Sequence, residues 1–183
     1  MKKYDIILAD PPWKYTSKSV SPNREVINHY PVMPTTDICK LPIMDIANDK
    51  CALFLWATWP LLEDALQVIN SWGFIYKTIA WVWIKSNKSG LGFFWGMGGY
   101  TRSNTEPCLL AFTKKISVAD HGIQSIIYSP VREHSRKPDE QYRKIESLYP
   151  NYSYLELFAR EKHNGWDTWG NEVDSDINLE KYL

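Results

Sequence analysis

The sequence has 183 residues and lacks most of the features that place a chain in a special class. Its three cysteines, Cys39, Cys51 and Cys108, are odd in number and widely spaced. They form no CxxC pair and the four histidines are scattered, which argues against a zinc site; no metal is expected. Reduced thiols of this kind fit a cytoplasmic protein. The N-terminus, Met1-Lys2-Lys3-Tyr4-Asp5, carries no apolar signal stretch, and no run is long enough to span a bilayer. The expectation is therefore a cytoplasmic chain with no membrane attachment. A net charge of zero argues against strong nucleic-acid binding by bulk charge alone. The glycine-rich G-x-G-x-x-G fingerprint is missing; Gly96-Met97-Gly98-Gly99 comes closest, but no helical pattern follows it, and it reads as a flexible loop. Repeats and linkers are absent too, and the length suits one domain over residues 1–183.

What is abundant is aromatic. Nine Trp and eleven Tyr are more than a core of this size needs, and such stacking groups suit a protein that handles bases. Charge is uneven: residues 1–115 carry a balance of +4 and residues 116–183 a balance of −4. Between Lys77 and Arg102 there are four basic residues and no acid. This is a small positive patch, or simply a solvated loop.

The most informative residues are Asp10-Pro11-Pro12-Trp13. They follow the apolar run Tyr4–Ala9, which reads as a buried parallel strand. Asp10 thus stands at the carboxyl end of a strand, where open α/β sheets place ligands. The prolines remove two N–H donors and stiffen the turn. The Pro11 carbonyl then lies beside the Asp10 carboxylate, and Trp13 adds a flat apolar face. Two acceptors beside a stacking surface suit a planar ring bearing an NH2 group, such as adenine. The lone pair of that amine is delocalised into its ring. Two acceptors, one per N–H, localise it for attack on a strong electrophile such as a sulfonium methyl group. The plainer alternative is a Pro-Pro turn with Asp10 as a cap and Trp13 as core.

Strand, helix and loop alternate along the chain. Strands are expected near residues 5–9, 51–57, 77–84, 107–113, 126–131 and 153–159, with helices over 60–72, ended by Gly73, and 138–148. A short helix is expected near 38–41 and a short turn near 43–47. Long loops occupy 14–36 and 86–105, and loops of that length are usually functional. The stretch 163–171 reads as short and polar, and 173–183 as an acidic tail that frays. The pattern predicts an α/β doubly wound sheet, mostly parallel, with helices on both faces.

A second constellation lies late in the chain. The strand holding Glu156 and Phe158 ends in Arg160, His163, Asn164 and Asn171, which offer bonds to ribose hydroxyls and a carboxylate. Lys137, just before a helix start, is a natural place to meet a carboxylate. The alternative is a set of surface charges.

Taken together, Ala9–Trp13, Leu53–Thr58, Asn104-Thr105-Glu106, Arg136–Glu140, Leu155–Arg160 and Trp169-Gly170-Asn171 resemble the catalytic-subunit (MT-A) family of mRNA adenosine N6-methyltransferases and its bacterial and phage relatives that methylate adenine in DNA. The pieces occur in the family's order over nearly the whole chain. The resemblance implies a Rossmann-like fold using S-adenosylmethionine, with the catalytic strand before the donor-binding strand. It implies that Asp10 and Pro11 bind the target amine, that Pro12 and Trp13 complete that catalytic turn, and that Trp13 packs the base. Lys14, Tyr15, Tyr30, Asn104 and Glu106 fall on the substrate side. Lys137, positioned by Glu156, looks like the contact to the donor's methionine carboxylate. Asp10, Phe158, Arg160, His163, Asn164, Asn171 and Glu172 complete the donor side. Two departures stand out: the family usually has a further strand before the catalytic one, and Glu161-Lys162 lengthens the spacer before His163. The missing donor-adenine contacts are expected from the Gly165–Glu172 turn.

The partner implied is nucleic acid, DNA before RNA, with a second copy or partner subunit extending the surface. Duplex DNA would require base flipping, with the two long loops holding the base. Competing readings are an N4-cytosine methyltransferase, an inactive scaffold subunit and a nucleoside-binding module. A Ser in place of Asp10 would favour the first, and loss of Asp10 or Trp13 the second; both residues are intact.

Overall fold

The computed structural model describes residues 2–15, 32–133 and 136–179. Tyr30 and most of the first long loop lie outside these residues. The elements are β1 (Tyr4–Ala9), α1 (Thr35–Ile38), α2 (Ile43–Ile46), β2 (Ala47–Trp56), a 3-10 turn (Trp59–Leu61), α3 (Leu62–Ser71), β3 (Ile75–Ser86), β4 (Thr105–Phe112), β5 (Ile126–Pro130), α4 (Glu140–Leu148), β6 (Tyr154–Leu157) and β7 (Trp166–Trp169). No described helix is long and apolar enough to cross a membrane.

Seven strands form one sheet in the order β5-β3-β4-β2-β1-β6-β7. Every neighbouring pair is parallel except β2–β4 and β3–β4, so β4 alone runs against the rest. This is the mostly parallel α/β sheet expected. Strand β1 is central and apolar on both faces: Ile7 and Ala9 pack in the cluster that holds α3 residues Ala65, Val68 and Ile69, and Ile6 and Leu8 in the one that holds Ile145 of α4. Helices thus cover both faces.

Local chemistry sets the boundaries. α3 ends in a Schellman pattern, with Gly73 N–H bonding Asn70 O at 3.0 Å and Phe74 N–H bonding Ile69 O at 3.0 Å. At the far end of the sheet, Asp5 accepts bonds from Asn48 Nδ2 and from Ser153 N and Oγ, tying β1, β2 and the start of β6 together. Those bonds outweigh burial and lower the Asp5 carboxyl below its ordinary range.

Two expectations need correction. The stretch read as short and polar contains β7, paired with β6 from Tyr154–Trp166 to Leu157–Trp169. Its two tryptophans are buried. The tail after it is anchored as far as residue 179: Asp176 Oδ2 accepts from Thr168 N–H at 2.8 Å, and Leu179 is fully buried; residues 180–183 lie outside the described residues.

Candidate active site

β1 leads through β2 toward one side of the sheet, while β6 leads to β7 on the other, and β1 pairs with β6. The crevice beyond the carboxyl ends of β1 and β6 is therefore a topological switch point. Ala9 pairs with Leu55 and Leu157, so Asp10 emerges there with Trp56 on one flank and Phe158 on the other.

Two adjoining cavities of about 260 and 230 Å³ open at this edge. Asp10, Lys137, Phe158, Arg160 and Glu172 border both. The first runs from Pro11, Pro12, Tyr15 and Thr58 across to Trp169 and Asn171. The second lies toward α4 and is lined by Trp56, Asp139, Gln141, Tyr142 and Glu156.

The turn after β1 is tightly fixed. Pro11 O accepts from Trp13 N–H at 2.8 Å, an i to i+2 bond that sets the direction of the Pro11 carbonyl. Pro12 O accepts from Met33 N–H at 2.8 Å. Trp13 is 6% exposed and donates its indole N–H to Trp56 O at 3.1 Å. It lines the cavity as a buried floor and belongs to the core as well.

A chain of alternating charges runs through the site, buried at Lys137 and Glu106 and half-buried at Asp10 and Lys85. Lys137 Nζ lies 2.9 Å from Asp10 Oδ2 and 2.9 Å from Glu106 Oε1; Glu106 Oε2 lies 2.7 Å from Lys85 Nζ. Burial raises the Asp10 carboxyl above its ordinary range; Lys137 pulls against this and Glu106 adds to it. At Glu106 burial also pushes upward, but Lys137 and Lys85 prevail and the carboxyl is lowered. Burial works against charge on Lys137, yet the two carboxylates outweigh it and hold the ammonium protonated. Glu106 reaches this edge because β4 is antiparallel, which puts its first residues beside the last residues of β2 and β3.

Lys137 is held from behind. Arg132 grips Asp139 with two nitrogens, at 2.8 and 2.7 Å, and its Nη2 also donates to the Lys137 carbonyl. On the far side of the crevice, β6 ends at Phe158 in a left-handed conformation, φ 62°. Such strain in a non-glycine residue costs about 1–3 kcal/mol and clusters at functional sites. Ala159 N–H bonds Trp169 O at 3.0 Å. A Cβ on Gly170 would sit 2.1 Å from the Ala159 carbonyl oxygen, so only glycine lets the ends of β6 and β7 close on each other. Arg160 Nε and Glu172 Oε1, one from each end, lie 3.5 Å apart.

The structure brings Asp10, Pro11, Pro12, Trp13, Tyr15, Glu106, Lys137, Glu156, Phe158, Arg160, Asn171 and Glu172 to the two cavities. It moves four expected residues away. The His163 ring stacks on Tyr142 at 3.9 Å, outside both cavities, and Asn164 is exposed beyond it. Asn104 serves through its backbone, its carbonyl accepting from Lys85 N–H at 2.9 Å. Lys14 is exposed and lines neither cavity. Lys137 was expected to be positioned by Glu156; its bonds to Asp10 and Glu106 replace that arrangement, and Glu156 Oε2 accepts from Tyr142 OH at 2.8 Å. Sequence reasoning missed Lys85, Thr58, Ser103 and Arg132. Lys85 and Thr58 were findable, because they stand at or just past the carboxyl ends of strands, the rule that selected Asp10.

Burial, opposed by the Tyr142 bond, raises Glu156 from 4.5 to about 7. An acid with a higher value folded than unfolded favours folding below its unfolded value, and that contribution is lost as pH rises through the folded one. Glu156→Gln is therefore expected to be more stable than the native chain at pH 8 by about 1–3 kcal/mol. The gap should close toward pH 4.5. Urea unfolding at the two pH values measures it; equal stability at pH 8 would mean Glu156 carries no buried charge there.

A family model, MT-A70, matches residues 4–172. The Type II methyltransferase M.MunI of Mycoplasma sp is 32% identical over 190 residues, covering 94% of this chain and 78% of that protein. Human N(6)-adenine-specific methyltransferase METTL4 is 30% identical over 189 residues, and the human N(6)-adenosine-methyltransferase catalytic subunit METTL3 is 29% identical over 177. Each alignment covers 94% of this chain, but 38% and 28% of those longer proteins. The match spans both halves of the crevice, from β1 to the turn after β7, and the chain accordingly belongs to the MT-A70 family of methyltransferases.

Proposed function

We propose that this chain transfers a methyl group from S-adenosylmethionine to the N6 amine of adenine in nucleic acid, DNA in preference to RNA. One observation carries the reading: a carboxylate and a fixed carbonyl, Asp10 and Pro11, stand side by side where a single cavity crosses the switch point. The side toward Pro12, Tyr15 and Thr58 suits the target base. The side toward Phe158, Trp169, Asn171 and Glu172 suits a nucleoside, with two aromatic rings for adenine and polar groups for ribose hydroxyls. Arg160 and Lys137 border the junction and offer positive charge to a carboxylate. S-adenosylmethionine, when bound, supplies an electrophilic methyl group on a sulfonium sulfur.

Asp10 and Pro11 then accept the two N–H groups of the amine. This localises the nitrogen lone pair and aims it across the junction. Transfer would replace the donor's sulfur–carbon bond with a nitrogen–carbon bond, and Asp10 or water would take the surplus N–H proton. The upward shift of the Asp10 carboxyl suits it to take that proton. The preference for DNA rests on the resemblance to short bacterial and phage enzymes, and on the Mycoplasma relative, most of whose length this chain covers.

The test is a methyl-transfer assay with mixed DNA and RNA substrates, digested to nucleosides and read by mass spectrometry, with Asp10→Ala as control. N6-methyldeoxyadenosine that disappears in the control is the expected result. The ribonucleoside form would move the target to RNA. Failure to bind the donor and form product would overturn the reading.

A further inference from the structure

The loop between β3 and β4, residues 87–104, carries an unusual surface. Leu91, Phe93, Trp95, Met97 and Tyr100 are all exposed, Trp95 at 71% and Tyr100 fully. Five large apolar side chains within ten residues exceed what a merely solvated loop presents. Basic groups are interleaved: Lys88 lies in the same loop, and the Arg102 guanidinium sits 5.2 Å from the centre of the Trp95 ring. Residues 65–105 contain no acid at all.

The loop is built and it is placed. Phe94 N–H bonds Lys85 O at 2.8 Å, and Lys85 N–H bonds Asn104 O at 2.9 Å, so both ends are pinned to the residue that closes the charge chain. Inside it, Cβ atoms on Gly96 and Gly98 would lie 2.2 and 2.0 Å from the carbonyl oxygens of Ser103 and Thr101. The backbone folds back on itself, and its aromatic side chains project outward. Ser103 lines the first cavity, and Trp59, half-exposed beside Thr58, donates its indole N–H to Thr105 at 2.9 Å. The loop therefore reaches the cavity through Ser103.

We infer that this loop is a stacking platform for the nucleotides that flank the target adenine in an unpaired strand. The inference rests on the function proposed above. A base turned into the cavity leaves its neighbours at the mouth. There, Trp95 and Tyr100 meet base faces, while Lys88 and Arg102 meet phosphates. Stacking on aromatic rings tolerates any sequence, since every base has a π face. The absence of acids over forty residues suits a polyanion better than a second copy of this neutral chain.

The experiment uses the full chain and a fluorescein-labelled single-stranded 15-mer with a central adenine, read by anisotropy across a salt series. Trp95→Ala combined with Tyr100→Ala should weaken binding about ten-fold or more. The salt slope should stay as in the native chain. Trp95→Phe should retain most of the affinity. Lys88→Ala should instead lower the salt slope by about 0.7, the loss of one phosphate contact on a single strand. Affinity for S-adenosylmethionine, measured by calorimetry, should be native in all of them. Native 15-mer affinity in the double variant would overturn the inference, with methylation of oligonucleotides leaving the proposed function standing. A native dimer that dissociates in the double variant, with 15-mer affinity intact, would assign the surface to a second copy. A native chain that neither binds nor methylates the 15-mer, or its duplex, would bring down the proposed function and this platform with it.

Discussion

Replacing Asp10 with alanine is expected to abolish methyl transfer while leaving the affinity for the methyl donor within about an order of magnitude. The turn after β1 needs no help from this side chain: Pro11, Pro12 and Trp13 are fixed by backbone bonds and by the indole bond to Trp56. The loss therefore falls on the acceptor for the target amine. Removing one positioned hydrogen-bonding partner at a reacting centre typically costs about 10² to 10³ in rate. Asp10 also gives up a proton-accepting oxygen here, so the effect should lie at or above the upper end. Single-turnover rates with saturating donor, and donor affinity by calorimetry, separate the two quantities. Lost donor binding with a native transfer rate on the remaining complex would assign Asp10 to the donor side.

Lys137→Met is expected to have the largest effect on folding. It removes the cation that lies 2.9 Å from both Asp10 and Glu106; Glu106 keeps Lys85 at 2.7 Å, and Asp10 loses its paired cation. Breaking a buried pair by removing one partner costs about 3–5 kcal/mol, because the abandoned charge stays desolvated. For a chain of this size that lowers the melting temperature by about 10 °C or more. The pH dependence gives the sign. Lys137 is raised above 10.5, so its contribution is complete below that value and lost as pH rises through the higher folded one. Glu106 is lowered below 4.5, so its contribution is present above 4.5 and lost as pH falls through the folded value. Between those limits the Lys137–Glu106 part of the charge chain is intact. In the variant, the two carboxylates become easier to protonate, and the deficit should shrink from pH 8 to pH 5. Adding Asp10→Asn should restore part of the loss, because Asp10 is the carboxylate that loses its paired cation while Glu106 keeps Lys85 at 2.7 Å. Urea unfolding at both pH values tests this; a deficit under about 1 kcal/mol, flat with pH, would mean that Lys137 is well solvated.

The same substitution should weaken donor binding, as the resemblance implied for Lys137. The structure adds that Lys137 also holds Asp10. Donor affinity and transfer rate should therefore fall together in Lys137→Met, whereas Asp10→Ala separates them.

The sequence by itself determined the local features. An apolar run followed by Asp10-Pro11-Pro12-Trp13 reads as a buried strand and a stiff turn, because both are set within ten residues. The end of α3 at Gly73 is equally local. The same holds for the parallel character of the sheet, since β1 is apolar on both faces and needs cover on each. Only the tertiary structure decided the rest. β7 was invisible because Trp166-Asp167-Thr168-Trp169 is four residues with a polar centre; the open edge of β6 makes it a strand by supplying partners. His163 and Asn164 follow Arg160 closely in sequence, but the chain carries the His163 ring onto Tyr142 of α4, so nearness in sequence did not become nearness in space. The charge chain joins Asp10, Lys85, Glu106 and Lys137 from four separate segments. Its order was set by the reversal of β4 and by the Arg132 grip on the Lys137 turn. A side chain's chemistry is written in its own residue, but the field that tunes it comes from charges that only folding brings within a few ångströms.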